Sequence, residues 1–261
     1  MGSRSDNVNW REKSSTIVAK SQRAINKPFL DKSSLGIACC RYNKDKLEIL
    51  LVCKRFTYSY NMFVHGKYSG NNMELIKLFN GMTVEEKLDI CSLNFTQIWY
   101  RVWLNFKISI STYTFSKSKF EKNFLMDGGV KLRSLINKSS NAQKIWEIPK
   151  GHKKNKTEID IHCAIREFYE ETGISKKNYK LFLNSRMQFS YIDDGIKYNN
   201  TYFIAFTQKK IIPKIDFSLQ EQVDEISDIR WMNIEDVRYV DQQKHLVNNV
   251  RTIFNYIKKY N

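Results

Sequence analysis

No uninterrupted apolar run in this 261-residue chain approaches the roughly 18 residues of a membrane span, so no transmembrane helix is expected. The first 33 residues carry no apolar stretch of the kind a secretory signal needs. They are rich in Ser, Asn, Lys and Arg and read as a flexible basic tail, 1–33. Cysteine is sparse. Cys39, Cys40, Cys53, Cys91 and Cys163 are odd in number and show no C-x-x-C spacing, which argues against a disulfide framework and against a zinc site and favours a reducing, cytoplasmic setting. No internal repeat or low-complexity tract is present. Negative charge is also in short supply, with 27 Asp+Glu against 43 Lys+Arg, a formal net charge of +16. That balance suits a polyanionic partner such as nucleic acid, an inositol phosphate or an anionic membrane surface, a merely soluble surface being the alternative.

What is present is globular: 42% hydrophobic and 13% aromatic residues. Leu35 to Tyr42 and Leu47 to Arg55 are short apolar runs separated by Asn43-Lys-Asp-Lys46, a strand–turn–strand pattern. From Phe56 to about Asn141 the apolar and aromatic residues fall at helical spacing instead. Ile145 to Pro149 reads as a short strand followed by a Gly/Lys turn. A helix is predicted from Glu158 to Thr172, with Ile161, Ala164, Ile165 and Phe168 on one face and Gly173 as terminator. Strands are expected at Arg186 to Ile192, Lys197 to Phe206 and Ile229 to Met232, and an amphipathic helix from Asp241 to Lys259.

The chemistry concentrates in Gly151 to Ile174, GHKKNKTEIDIHCAIREFYEETGI. Glu167, Glu170 and Glu171 at i, i+3 and i+4 share one helical face. Three carboxylates there repel one another unless cations lie between them, and hard divalent ions prefer carboxylate and water oxygens. A solvated acidic face is the bland alternative. The segment resembles the Nudix box, G-x5-E-x7-R-E-U-x-E-E-x-G-U, with one extra residue between Gly151 and Glu158.

The resemblance implies an α+β fold, a Nudix α/β/α sandwich formed by 34–56 and 141–261, with 57–140 as an inserted helical RNA-binding domain. It implies Mg²⁺ or Mn²⁺ held by Glu167, Glu170 and Glu171. Glu167 and Glu171 are the catalytic candidates, and Arg166 reaches back to Glu158 as scaffold. Glu225 is the expected further acid from a later loop, with Glu221 and Asp224 as fallbacks and an exposed loop acid as the alternative. Lys54, Arg55, Lys150 and Gly151 are the candidate substrate-binding positions, a solvated surface remaining the alternative for Lys54 and Arg55.

Further segments resemble the viral mRNA-decapping members of that family, those of African swine fever virus and giant DNA viruses and, more distantly, of poxviruses. They include Ser34-Leu-Gly-Ile, Phe63-Val-His, Trp99-Tyr-Arg-Val-Trp103 and Trp146-Glu-Ile-Pro-Lys-Gly151. This implies hydrolysis of capped mRNA to 7-methyl-GDP and 5′-monophosphate RNA in a host cytoplasm. A diphosphoinositol polyphosphate or dinucleoside polyphosphate substrate is the enzymatic alternative, and a binding protein with a degenerate box the non-enzymatic one. Trp99, Tyr100, Trp103, Phe106, Tyr113 and Phe115, interleaved with lysines, could stack on bases or simply form the insertion's core; Trp99, Trp103 and Trp146 are also candidates for the cap base. His152 stands where the relatives carry lysine.

Overall fold

A computed structural model describes residues 30–103, 109–193, 195–241 and 245–260. Strand β1 (Leu30–Asn43) turns back into β2 (Lys46–Lys54) through Lys44, which takes a positive φ of 54°. Residues 34–40 of β1 and 47–53 of β2 are buried on two faces, which explains their largely apolar sequence. Ala38, Cys40, Ile49 and Leu51 enter one core, while Ile37, Cys39, Leu50 and Val52 enter another. The period-two alternation therefore separates two apolar layers rather than core from solvent.

Helices α1 (Tyr58–Val64), α2 (Asn72–Asn80), α3 (Val84–Ser92), α4 (Phe95–Val102), α5 (Ile110–Phe124) and α6 (Val130–Asn137) follow β2. They build a third core of their own around Phe63, Phe79, Phe120 and Phe124. The chain returns through β3 (Trp146–Glu147) and β4 (Lys150–Gly151) to α7 (Asp160–Thr172). Then come β5 (Lys180–Asp193), β6 (Ile196–Phe206), the short helix α8 (Gln220–Glu225), β7 (Ile226–Met232), α9 (Ile234–Val240) and α10 (His245–Tyr260).

The seven-stranded sheet runs β3-β2-β1-β6-β5, with β4 pairing β1 and β7 pairing β2. The β1–β6 pair is parallel. Helix α7 covers one face through Cys163, Ala164 and Phe168, and α9 and α10 cover the other through Val237, Val250 and Ile253. The result is the expected α+β, α/β/α sandwich with helices inserted between β2 and β3.

Three expectations shift. Leu30 to Ser33, assigned to the tail, belong to β1 and pair with Ile196 to Asn199; residues 1–29 lie outside the described residues. Lys150 and Gly151 are not yet in the turn but form β4 against Gly36 and Leu35. The expected acidic loop contains α8, held by the buried Gln222, whose Nε2 donates to the Glu171 carbonyl at 3.1 Å. Its short length and polar surface leave little periodicity to detect.

Candidate active site

Helix α7 ends where Gly173 adopts φ 70°, the left-handed conformation that glycine tolerates best. Before the helix, Asn155 Oδ1 accepts from Thr157 N–H at 3.0 Å and Glu158 N–H at 2.9 Å, and this ordered turn accommodates the extra residue of the box. Arg166, nearly two turns into α7, gathers acids. Its Nε donates to Glu158 Oε1 at 2.8 Å and its Nη2 to Glu158 Oε2 at 3.0 Å, while Nη1 meets Glu167 at 2.7 Å and Glu170 at 2.8 Å. It also donates to the His152 carbonyl at 2.9 Å, so one guanidinium fastens the turn, the preceding strand and the acidic face.

A second cation gathers the remaining acids. Lys54 Nζ lies 2.6 Å from Glu171 Oε1, 3.1 Å from Glu225 Oε2 and 3.3 Å from Glu147 Oε1. The second oxygen of Glu171 accepts from the Lys150 backbone N–H at 2.9 Å, and the Lys150 ammonium pairs with Glu147. Tyr58, the first residue of α1, donates its hydroxyl to Glu147 at 3.2 Å. Arg55 points away from this group, with Nη1 3.4 Å from the Val223 carbonyl and its guanidinium 5.0 Å from the Phe56 ring centroid. Sequence reasoning thus brought Lys54, Lys150, Glu171 and Glu225 to one place and missed Glu147. Its signal was a charged residue three positions before Lys150, in a strand whose neighbours are apolar.

These surroundings split the carboxylates. Burial disfavours the charged form of Glu147, yet two ammonium groups, Lys150 and Lys54, outweigh it and hold its pKa down at about 2. Glu171 is buried as deeply, receives only Lys54 in full, and faces the Glu147 charge, so its pKa is pushed up to about 7. Both acids share Lys54, and the second ammonium makes Glu147 the one that stays ionised. Burial also raises Glu167, against the pull of Arg166.

A pH dependence follows from Glu147, because a depressed folded pKa contributes stability above the ordinary value of 4.5 that is lost as pH falls towards 2. Urea unfolding of the wild type and Glu147→Gln should show a stability gap at pH 7 that shrinks below about pH 4.5. A gap that persists to the acid limit would contradict the assignment.

Gly151 lies directly under Glu167: a Cβ built there would come 2.1 Å from Oε2 and 2.2 Å from Cδ. The carboxyl therefore rests on the one residue without a side chain. The donor set of Glu167, Glu170, Glu171 and Glu225 fits a hard divalent cation in chemistry. Among the described residues, however, no three acidic, His or Cys side chains stand gathered as a ready metal cage. Arg166 and Lys54 neutralise the carboxylates in the arrangement seen. Lysine in place of Arg166 would lose the fork that joins Glu158 to Glu167 and Glu170, and Arg166→Lys should cut turnover about 10- to 100-fold with a circular-dichroism spectrum unchanged.

Other sequence candidates separate from this centre. Trp99 is buried in the helical core and Trp103 packs against it. Trp146 is half-buried beneath Arg230, whose guanidinium carbon stands 5.4 Å from its ring. Tyr100 and Phe115 are exposed, and Phe106 lies outside the described residues. No described helix is long and apolar enough to cross a membrane.

A NUDIX domain family model matches residues 129–253. A protein of African swine fever virus, isolate Warthog/Namibia/Wart80/1980, named mRNA-decapping protein g5R, is 39% identical over 242 residues, covering 88% of this chain and 97% of that one. A relative from Acanthamoeba polyphaga mimivirus is 23% identical over 268 residues, covering 88% and 71% of the two chains. Among solved structures, a C. elegans Ap4A hydrolase binary complex superposes with a TM-score of 0.46 at 13% identity, over 87% of this chain and 98% of that one. Hydrolases with this domain typically work with a divalent cation. A NUDIX match and 39% identity along nearly the whole of a viral relative named mRNA-decapping protein g5R together establish that the chain belongs to the Nudix hydrolase family.

Proposed function

We propose that this enzyme hydrolyses the 5′ cap of mRNA, releasing 7-methyl-GDP and leaving a 5′-monophosphate RNA, with Mg²⁺ or Mn²⁺ held by Glu167, Glu170 and Glu171. The observation that carries the reading is the near full-length identity to a protein named for decapping, helical insertion included. When bound, the ion neutralises phosphate charge and lowers the pKa of a coordinated water. The chain's own groups do the rest. Arg166 holds the turn and the acidic face in register. Glu171 has both oxygens engaged by Lys54 and the Lys150 N–H, which leaves Glu167, resting on Gly151, as the better-placed acceptor for a water proton. Glu225 shares Lys54 with Glu171 and brings α8 to the centre. Lys54 and Lys150 supply positive charge where the phosphates would lie; Arg55, turned towards Val223 and Phe56, does not join them.

Residues 57–140, in this reading, bind the RNA body, and 34–56 with 141–261 form the Nudix domain. The net charge of +16 supports a polyanionic substrate, and the decapping reading itself implies a site of action in the host cytoplasm. The test is cap-labelled RNA incubated with Mg²⁺ or Mn²⁺ beside an EDTA control, with products resolved by chromatography. Metal-dependent 7-methyl-GDP is the expected product. RNA left intact under both metals would redirect the assignment to diphosphoinositol polyphosphates or dinucleoside polyphosphates.

A further inference from the structure

The chain crosses between the sheet and the helical insertion twice, and both crossings lie side by side: Lys54 N–H donates to the Ile145 carbonyl at 2.8 Å. Each crossing is fastened to the same short piece of the insertion, the start of α3. On the ingoing side, Glu86 accepts from Thr57 N–H at 2.6 Å and from Thr57 Oγ1 at 2.8 Å. The same carboxylate accepts from Thr83 N–H at 2.9 Å, closing the capping box of α3. On the outgoing side, Lys87 Nζ donates to Ser139 Oγ at 2.8 Å, to Asn141 Oδ1 at 2.9 Å and to the Ser140 carbonyl. Backbone contacts reinforce it: Ser140 N–H to Asn80 Oδ1 at 2.8 Å and Ala142 N–H to the Met82 carbonyl at 2.8 Å.

Glu86 and Lys87 are adjacent, opposite in charge, and 5% and 4% exposed. Glu86 bonds to the ingoing crossing and its own helix cap, and Lys87 to the outgoing crossing. Burying charge is expensive, and apolar side chains of the same size would pack there at less cost. What charge adds is direction, because a carboxylate with three donors and an ammonium with three acceptors fix both linkers at defined angles. The linkers lead straight to the catalytic centre. Thr57 precedes Tyr58, which reaches Glu147, and lies three residues after Lys54. The outgoing segment leads into Glu147, Lys150 and Gly151.

We propose that Glu86 and Lys87 form a paired clamp that sets the orientation of the helical insertion over the catalytic sheet, and are positioning residues for substrates long enough to touch both. The proposal rests on the reading that the insertion holds the RNA body. A short cap analogue, confined to the catalytic centre, should not sense the clamp, whereas a long capped RNA should.

The experiment compares wild type, Glu86→Gln, Lys87→Met and Lys87→Arg on a capped dinucleotide and on a capped RNA of some tens of nucleotides. Glu86→Gln and Lys87→Met are expected to keep kcat on the dinucleotide within about twofold and to raise KM for the long RNA about tenfold. Lys87→Arg, which keeps the charge and the donors, should restore most of it. Equal losses on both substrates, in step with the folded fraction from thermal unfolding, would overturn the clamp in favour of a purely structural role.

A second readout is independent of decapping. Spin labels at Met126→Cys on the insertion and Tyr239→Cys on the sheet side, both exposed positions, in a Cys91→Ser background, report the distance distribution between the two bodies. Glu86→Gln and Lys87→Met should broaden it and Lys87→Arg should not. If wild type releases no product from either RNA, the decapping reading fails and this broadening alone decides the clamp. An unchanged distribution overturns it.

Discussion

Glu171→Gln is expected to lower kcat for cap release about 10³-fold, roughly 4 kcal/mol of transition-state stabilisation, while leaving the affinity for capped RNA within about twofold. The side chain is 3% exposed and its two oxygens accept from Lys54 and from the Lys150 N–H. Glutamine keeps the volume but removes the charge that a divalent ion needs, and its single amide oxygen can accept from only one of the two donors. The fold should tolerate the change, because burial already disfavours the carboxylate form and pushes its pKa to about 7. Most of the RNA contact, in the proposed reading, comes from the basic insertion, so binding and turnover should part company. Chromatographic release of 7-methyl-GDP measures the first effect and filter binding the second. Cap release at wild-type rate would remove Glu171 from the metal site.

Gly151→Ala should cost about 100-fold in kcat with little change in stability, which is an unusual pairing for a glycine in a sheet. The added Cβ would meet Glu167 Oε2 at 2.1 Å, the far end of a flexible side chain that can swing away. Swinging away breaks its bond to Arg166 and takes the proposed water-activating carboxyl out of place, and about 1 Å of misplacement is enough for such a loss. Gly36→Ala offers the opposite outcome one strand away. Its Cβ would meet the Pro149 carbonyl at 2.1 Å, backbone against backbone, so β1 and β4 must separate. That variant should lose stability first, read as a lower urea midpoint, whereas Gly151→Ala should lose kcat first. If Gly151→Ala turns over at the wild-type rate, Glu167 does not depend on its seat at β4.

How much of this was legible beforehand differs from element to element. The β1–β2 hairpin could be read because Leu35 to Cys40 and Leu47 to Cys53 are largely apolar and the turn between them is polar. Helix α7 could be read because Ile161, Ala164, Ile165 and Phe168 repeat at its period and Gly173 ends it. The Arg166 to Glu158 contact followed from the resemblance, and the structure adds that the same guanidinium also restrains Glu167 and Glu170. Helix α8 was hidden because it has six residues and one buried position, Gln222, which is polar. Glu147 was hidden because a local window shows its spacing to Lys150 but not that Lys54, more than ninety positions earlier, converges on it as well.

The sequence by itself determined the acids on one face of α7, the glycine that stops the helix, the basic surplus and the helical character of the insertion. These properties depend on neighbours within a turn or two, where spacing and composition are sufficient. Only the tertiary structure decided which cation neutralises which acid. Lys54, Glu147, Glu171 and Glu225 come from β2, β3, α7 and α8, and their shared ion pairs exist because antiparallel pairing places β3 and β7 on either side of β2. Tertiary structure also decided that Glu86 and Lys87, two charged residues in a helix start, turn inward to hold the two crossings of the chain. A charge is normally left in water because desolvation is costly, and only the partners that folding brings within hydrogen-bond reach make its burial tolerable.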